Sequence, residues 1–229
     1  MRGRSSRLNR KTKKKKSIVY IFTEGDITEP RYLKDWGNYF CKKNELKKSP
    51  NICNFIELES SSSVFTIIKS NSKSASRTVY ETAEKWFSKK DPEDFIFIAI
   101  DDDDRAKKDM NNIFQKCNSF EKGFSNKKIN CIFSNRSVEF WALLHFIQTN
   151  RAYNKKNLET ELRKYLPDYH DKTHKIFDFS LMKDKTDTAI KNSISIRNQH
   201  NNTGEPYKQR STTNMDELII FLREFLIKK

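Results

Sequence analysis

Glu24 follows the apolar run Ser17–Thr23 (SIVYIFT), and four aspartates, Asp101 to Asp104, follow a second run, DFIFIAI, that starts at Asp94. Carboxylates at this density repel one another unless a cation shares their site. Hard oxygen donors suit Mg2+, which takes one or two carboxylates and keeps several of its waters. A glutamate beside such an Asp-x-Asp is a candidate general acid or base next to a metal. Each group also has a plainer use. Asp103 or Asp104 would cap a helix beginning near Ala106, for roughly 0.3–1 kcal/mol, and a lone glutamate after a strand is commonly a solvated turn residue. Their placement joins them. Both runs have the length and composition of strands buried on both faces of a parallel sheet, and in open α/β sheets functional groups gather outside the carboxyl ends of the strands. One sheet would bring Glu24 to the Asp cluster.

The rest of the chain supplies the elements such a sheet needs. Thr28 as cap and Pro30 in the first turn open a helix with Tyr32, Leu33, Trp36 and Phe40 on one face. Asn51–Glu59 reads as a second strand and Ser60–Lys90 as one helix or two in line. The third strand is Asp94–Ile100, followed by a helix over Ala106–Phe120 with Met110, Ile113, Phe114 and Cys117 inward, and the fourth strand is Lys128–Phe133. This alternation predicts an α/β fold with a doubly wound, mostly parallel four-stranded sheet. From Ser134 onward only helical periodicity remains, over Val138–Gln148, Lys156–Tyr165, Asp184–Asn198 and Met215–Ile227. The last has Thr213 or Asn214 as its cap, and the polar stretch Asn198–Ser211 before it reads as a loop. The expected organisation is a basic disordered tail over 1–16, an α/β core over 17–150 and a helical C-terminal layer, subdomain or lid over 151–229.

Charge points toward a polyanion. The formal net charge is +15 over 229 residues, and the first sixteen residues hold no acid but nine basic side chains: Arg2, Arg4, Arg7, Arg10, Lys11, Lys13, Lys14, Lys15 and Lys16. Such a tail repels itself when free and suits nucleic acid better than a membrane, because it lacks an apolar face. A merely solubilising arm is the alternative. Neither GxGxxG nor GxxxxGK[ST] occurs, which disfavours an ATPase site on this chain. The cysteines at 41, 53, 117 and 131 form no CxxC pair, and Cys53 and Cys131 read as small buried strand residues. With no apolar signal segment and no stretch long enough to span a bilayer, a cytoplasmic, reduced protein is expected. His145 on an apolar helix reads as a core histidine, and His170 with His174 as a polar helix face.

Glu24 at the end of the first strand, with Asp101 and Asp103 at the end of the third, resembles the Toprim domain of primases, topoisomerases and several nucleases. The blocks IVYIFTEGDITEPRYL, FIFIAIDDDD and FSNRSVEFWALLHF, with the amphipathic ending after STTN, resemble the RloB family more closely. These are Toprim-like proteins associated with bacterial restriction and abortive-infection loci, including the second component of the AbiL system. The resemblance implies a Mg2+-dependent (or Mn2+-dependent) nuclease of phage defence acting on DNA or RNA, with an ATPase encoded beside it as partner. It implies Glu24, Asp101 and Asp103 as catalytic and metal-binding residues, Arg105 on a phosphate oxygen, and Asp104 and Glu139 as auxiliaries. The third alternate acid of many Toprim domains falls at Arg105 here, with Asp102 or Asp104 as substitutes. Two other classes fit less well. A phosphoaspartate hydrolase expects its Asp-x-Asp on the first strand with Thr or Val two residues on, where this chain has Arg105 on the third. A non-catalytic nucleic-acid-binding or effector subunit would not need the intact acids.

Overall fold

The apolar runs form strands because both of their faces are covered. The computed structural model describes residues 17–47, 50–54, 65–69, 76–87, 94–102, 112–113, 115–117, 129–170, 173, 175–199 and 211–228. Strands β1 (Val19–Thr23), β2 (Asn51–Asn54), β3 (Phe65–Lys69), β4 (Phe95–Asp102), β5 (Ile129–Asn135) and β6 (Thr212–Thr213) make one sheet in the order β2-β3-β1-β4-β5-β6. The first five run parallel, and β6 pairs antiparallel with β5. The helices are α1 (Thr28–Lys43), α2 (Ser76–Phe87), α3 (Val138–Leu144), α4 (Lys155–Leu162), α5 (Thr186–Gln199) and α6 (Met215–Ile227).

Alternation along the strands divides the core in two. Val19, Ile21, Phe97 and Ala99 pack with α1 and the helices after β5. Tyr20, Phe22, Ile96, Ile98 and Ile100 pack with α2, Ile113 and Cys117 on the other face. This is the doubly wound arrangement expected of a parallel sheet with buried strands. The first core is continuous from Val19 to Leu226, so the helices beyond Ser134 and the sheet share it.

The sheet has six strands where the sequence predicts four. The stretch expected to be helical from Ser60 to Lys90 contains β3, and the helix described within it is Ser76–Phe87. Phe65, Thr66, Ile67 and Ile68 are all buried. Spacing at 64 and 68 mimics a helical turn, yet a contiguous β-branched run flanked by strands on both sides gains more from ladder pairing and two-sided burial. The other addition is β6, which lies just past the expected loop. There Ser134 and Thr213 share a hydroxyl hydrogen bond of 2.9 Å, the Asn214 carbonyl Oδ1 accepts from the Phe133 N–H at 2.8 Å, and the Asn214 amide donates to the Cys131 carbonyl at 3.0 Å. A side-chain amide thus continues the ladder where the backbone turns into α6, and it covers an edge that would otherwise be open.

Other boundaries move by a few residues. Helix α3 ends at Leu144, α4 at Leu162, and β4 continues through Asp102, which places Asp101 inside the strand. Thr28 does not cap α1. Its hydroxyl donates to the Lys175 carbonyl at 2.9 Å, and Ile27 precedes the helix without a capping side chain. A missing cap costs about 1 kcal/mol. Burial of Tyr32, Leu33 and Trp36, each about 1.5–3 kcal/mol, outweighs it. Gly37 lets that face approach the sheet, since a Cβ there would lie 2.8 Å from Phe65 Cζ. Ile113 and Cys117 point inward as expected; Met110 and Phe114 lie outside the described residues, as does the basic tail. Cys131 is half-buried rather than fully buried, and Cys41, Cys117 and Cys131 are free thiols. Among the described residues no helix is long and apolar enough to cross a membrane.

Candidate active site

Strands β1 and β4 lie side by side at the centre of the sheet, Thr23 opposite Ala99. From β1 the chain winds to one edge through β2 and β3, then returns across it to β4 and β5 on the other side. The carboxyl ends of β1 and β4 are therefore the topological switch point, where such sheets open a crevice. The Glu24 N–H donates to the Ala99 carbonyl at 2.9 Å, and the Asp101 N–H donates to Glu24 Oε2 at 3.2 Å. Residues far apart in sequence thus meet through a backbone bond, with Asp101 on the sheet face of Phe97 and Ala99.

The two helices that begin at this edge add acids. Glu29, in the first turn of α1, is buried and accepts a 3.2 Å hydrogen bond from the Gly25 N–H. Glu139, in the first turn of α3, is buried and accepts from the Tyr169 hydroxyl. Together with Glu24, Asp101, Arg136, Lys155 and Lys175 they line a cleft of about 260 Å³. The Ser137 hydroxyl also lines it, buried and without a hydrogen bond among the described residues.

Crowding of like charge in a poorly hydrated place raises carboxyl pKa values. Burial, joined by the charges of Glu139 and Glu24, pushes Glu29 up to about 7. Burial, then the charges of Glu29, Glu139 and Glu24, holds Asp101 well above the usual carboxylate range, with Lys155 opposing. Both mechanisms disfavour the ionised form. A dication would reverse them, and the oxygen donors with an orphaned hydroxyl fit a hard ion such as Mg2+. Among the described residues no three of these acids stand in ligating arrangement, but Mg2+ is commonly held by one or two carboxylates and its waters.

A family model described as RloB-like protein matches residues 19–222. The chain belongs to the RloB-like family. No curated protein and no solved structure matches it.

In this RloB-like chain the sequence-predicted residues fall in three groups. Glu24, Asp101 and Glu139 meet in the cleft. Asp103, Asp104 and Arg105 lie outside the described residues, as do the basic tail and His174. His145 is a core histidine: its ring nitrogens lie 3.0 Å from the Trp141 carbonyl and 3.3 Å from the Tyr32 hydroxyl, and burial pushes it down to about 4. His170 sits 3.7 Å from Glu159. Sequence reasoning missed Glu29, Ser137, Lys155, Tyr169 and Lys175. Glu29 shows in the sequence only as an acid in the first turn of a helix that starts at the same sheet edge, a pattern it shares with solvated first-turn acids. Ser137 lies within the FSNRSVEFWALLHF block beside Glu139 without a charge to mark it, and Lys155, Tyr169 and Lys175 come from segments whose local pattern carries no mark of the site.

Gly25 leaves room for the buried Glu29 carboxylate. A Cβ at that position would lie 2.1 Å from Glu29 Oε2 and 2.7 Å from its Cδ. Gly25→Ala is expected to lower stability by about 1–3 kcal/mol, the usual cost of overpacking, read from the urea midpoint. The loss should shrink in the Gly25→Ala/Glu29→Ala double variant, where the obstructing carboxylate is gone; equal losses in both backgrounds would refute the contact.

Proposed function

We propose that the chain is a metal-dependent nuclease with a Toprim-like catalytic domain that hydrolyses nucleic-acid phosphodiester bonds with Mg2+ or Mn2+. The observation that carries this reading is the junction of Glu24 and Asp101 at the switch point of a parallel sheet. Glu24 and Asp101 would hold the ion, with Asp103 joining them by its position in sequence. The ion supplies charge compensation for the scissile phosphate. The chain's own groups do the rest. Arg136, Lys155 and Lys175 on the cleft wall favour approach of a phosphate. Glu29, raised to about 7 in the metal-free cleft, would give up its proton as the ion binds beside it. Tyr169 fixes the Glu139 carboxylate through its hydroxyl, and Arg105 is assigned to a phosphate oxygen on sequence alone.

RloB-like membership supports a place in phage defence or abortive infection and, with it, an ATPase encoded alongside as partner, with which the missing phosphate-loop motif is compatible. The purified chain should cut supercoiled plasmid, single-stranded DNA or structured RNA in Mg2+ or Mn2+ and stop in EDTA. Nucleic-acid binding that survives EDTA, with no cleavage under any metal or with the ATPase and ATP added, would instead establish a non-catalytic binding subunit. Co-purification with the ATPase in at least one nucleotide state is expected, and its absence in all of them would remove the partner.

A further inference from the structure

We infer that a second cleft, next to the carboxylates, receives an unpaired nucleobase, so that the chain binds single-stranded or locally unpaired nucleic acid in preference to duplex. This rests on the proposed nuclease reading for the position of the phosphate. The second cleft has a volume of about 420 Å³, within the roughly 300–1,000 Å³ of small-molecule sites. It adjoins the first through Tyr169, which lines both. The Tyr169 hydroxyl is turned to Glu139, and its ring lies 5.0 Å from that of Phe177 in the second cleft.

Two features select a base as the occupant. Among the described residues six large apolar side chains are left open to water, and three of them line these clefts: Ile27 at 40% exposure in the first, Ile176 at 37% and Leu181 at 43% in the second. A nucleobase presents an apolar π-face to such walls whatever its identity. The rim is acidic on balance: Arg31 pairs with Asp35 at 2.8 Å, Asp178 accepts from Ser180 through one oxygen, and Asp168 adds a further carboxylate. That charge repels a phosphate and offers acceptors to the exocyclic amino groups of adenine, cytosine and guanine. A strand with its phosphate at Asp101 would then place a neighbouring base against Ile176 and Leu181. In a duplex that base is stacked and paired, and reaching the cleft would cost its extrusion.

The test is binding of dye-labelled single-stranded DNA, single-stranded RNA and the matching duplexes to the full chain, with Ca2+ replacing Mg2+ to separate binding from cleavage. The variants are Ile176→Asp/Leu181→Asp and, as an independent probe, Leu181→Trp. Single strands should bind the wild type about tenfold or more tighter than duplex, and the double variant should lose about tenfold, the scale of one stacked base. Trp fluorescence in Leu181→Trp should be quenched by single strands. An abasic residue at one position should weaken the wild type by about tenfold and leave the double variant unchanged. Duplex binding as tight as single-strand binding, an unaltered double variant, unquenched Trp, or no binding of any oligonucleotide would overturn the inference. Cleavage is measured separately, so base-dependent binding without turnover removes the nuclease reading alone, and turnover indifferent to Ile176 and Leu181 removes this inference alone.

Discussion

Asp101→Asn and Glu24→Gln, assayed singly, are each expected to reduce Mg2+-dependent cleavage by about 10³-fold, within the range for loss of an acid–base or metal-holding group. These replacements are chosen to keep the architecture. The hydrogen bond that joins the two positions comes from the Asp101 backbone N–H and ends on Glu24 Oε2, so an asparagine at 101 retains the donor and a glutamine at 24 retains an acceptor oxygen. Asp101→Asn also removes a carboxyl that its acidic neighbours oppose, so its melting temperature at pH 8 should equal or exceed that of the wild type. Lost activity in a protein of undiminished stability separates chemistry from folding. Cleavage at the wild-type rate in both variants would remove the site assignment.

Glu29→Gln is expected to stabilise the protein at high pH and to have little effect in acid. The ordinary glutamate value is 4.5 and the folded value is about 7, so between them the folded state binds more protons than the unfolded state. Stability falls as pH rises through that window, and by pH 8 the ionised side chain costs on the order of 3 kcal/mol. His145 acts in the opposite sense. Burial pushes it from 6.5 to about 4, and its share of stability, present above 6.5, is lost as pH falls toward 4. The two trends overlap in the wild type, so a single stability curve would hide both. Subtracting the wild-type curve from that of Glu29→Gln cancels the histidine: the difference should be near zero at pH 4, grow through pH 7 and level off at pH 8. Mg2+ should narrow the gap at pH 8, because an ion that takes up the carboxylate charge stabilises the wild type more than the variant. Parallel curves would show that Glu29 is not held in this state.

The two predictions concern residues that differ in legibility. Glu24 and Asp101 each terminate a run apolar enough to read as a buried parallel strand, and the rule that placed them together needs only that the strands share a sheet and a direction. Glu29 sits five residues past Glu24 in what reads as an ordinary helix start, and nothing local separates a solvated first-turn acid from one pressed against Gly25. Phe65–Lys69 shows the converse failure, since a buried strand of five residues can imitate helical spacing, and only pairing with β1 and β2 decides between them.

By itself, the sequence determined the doubly wound class, the amphipathic α6 to its ends, the meeting of Glu24 with Asp101 and the RloB-like resemblance. The first three follow from periodicity and chain direction, and the resemblance from the residue blocks around Glu24, Asp101 and Glu139. Only the tertiary structure decided that β1 lies between β3 and β4, that Asn214 seals the sheet beside β6, and that Glu29, Ser137 and Lys155 join the expected Glu139 around the two strand-end acids. Those facts depend on which distant surfaces exclude water from one another. Desolvation is also what moves the carboxyl pKa values, so the chemistry of the cleft arises at the level of packing and has no counterpart in the local pattern.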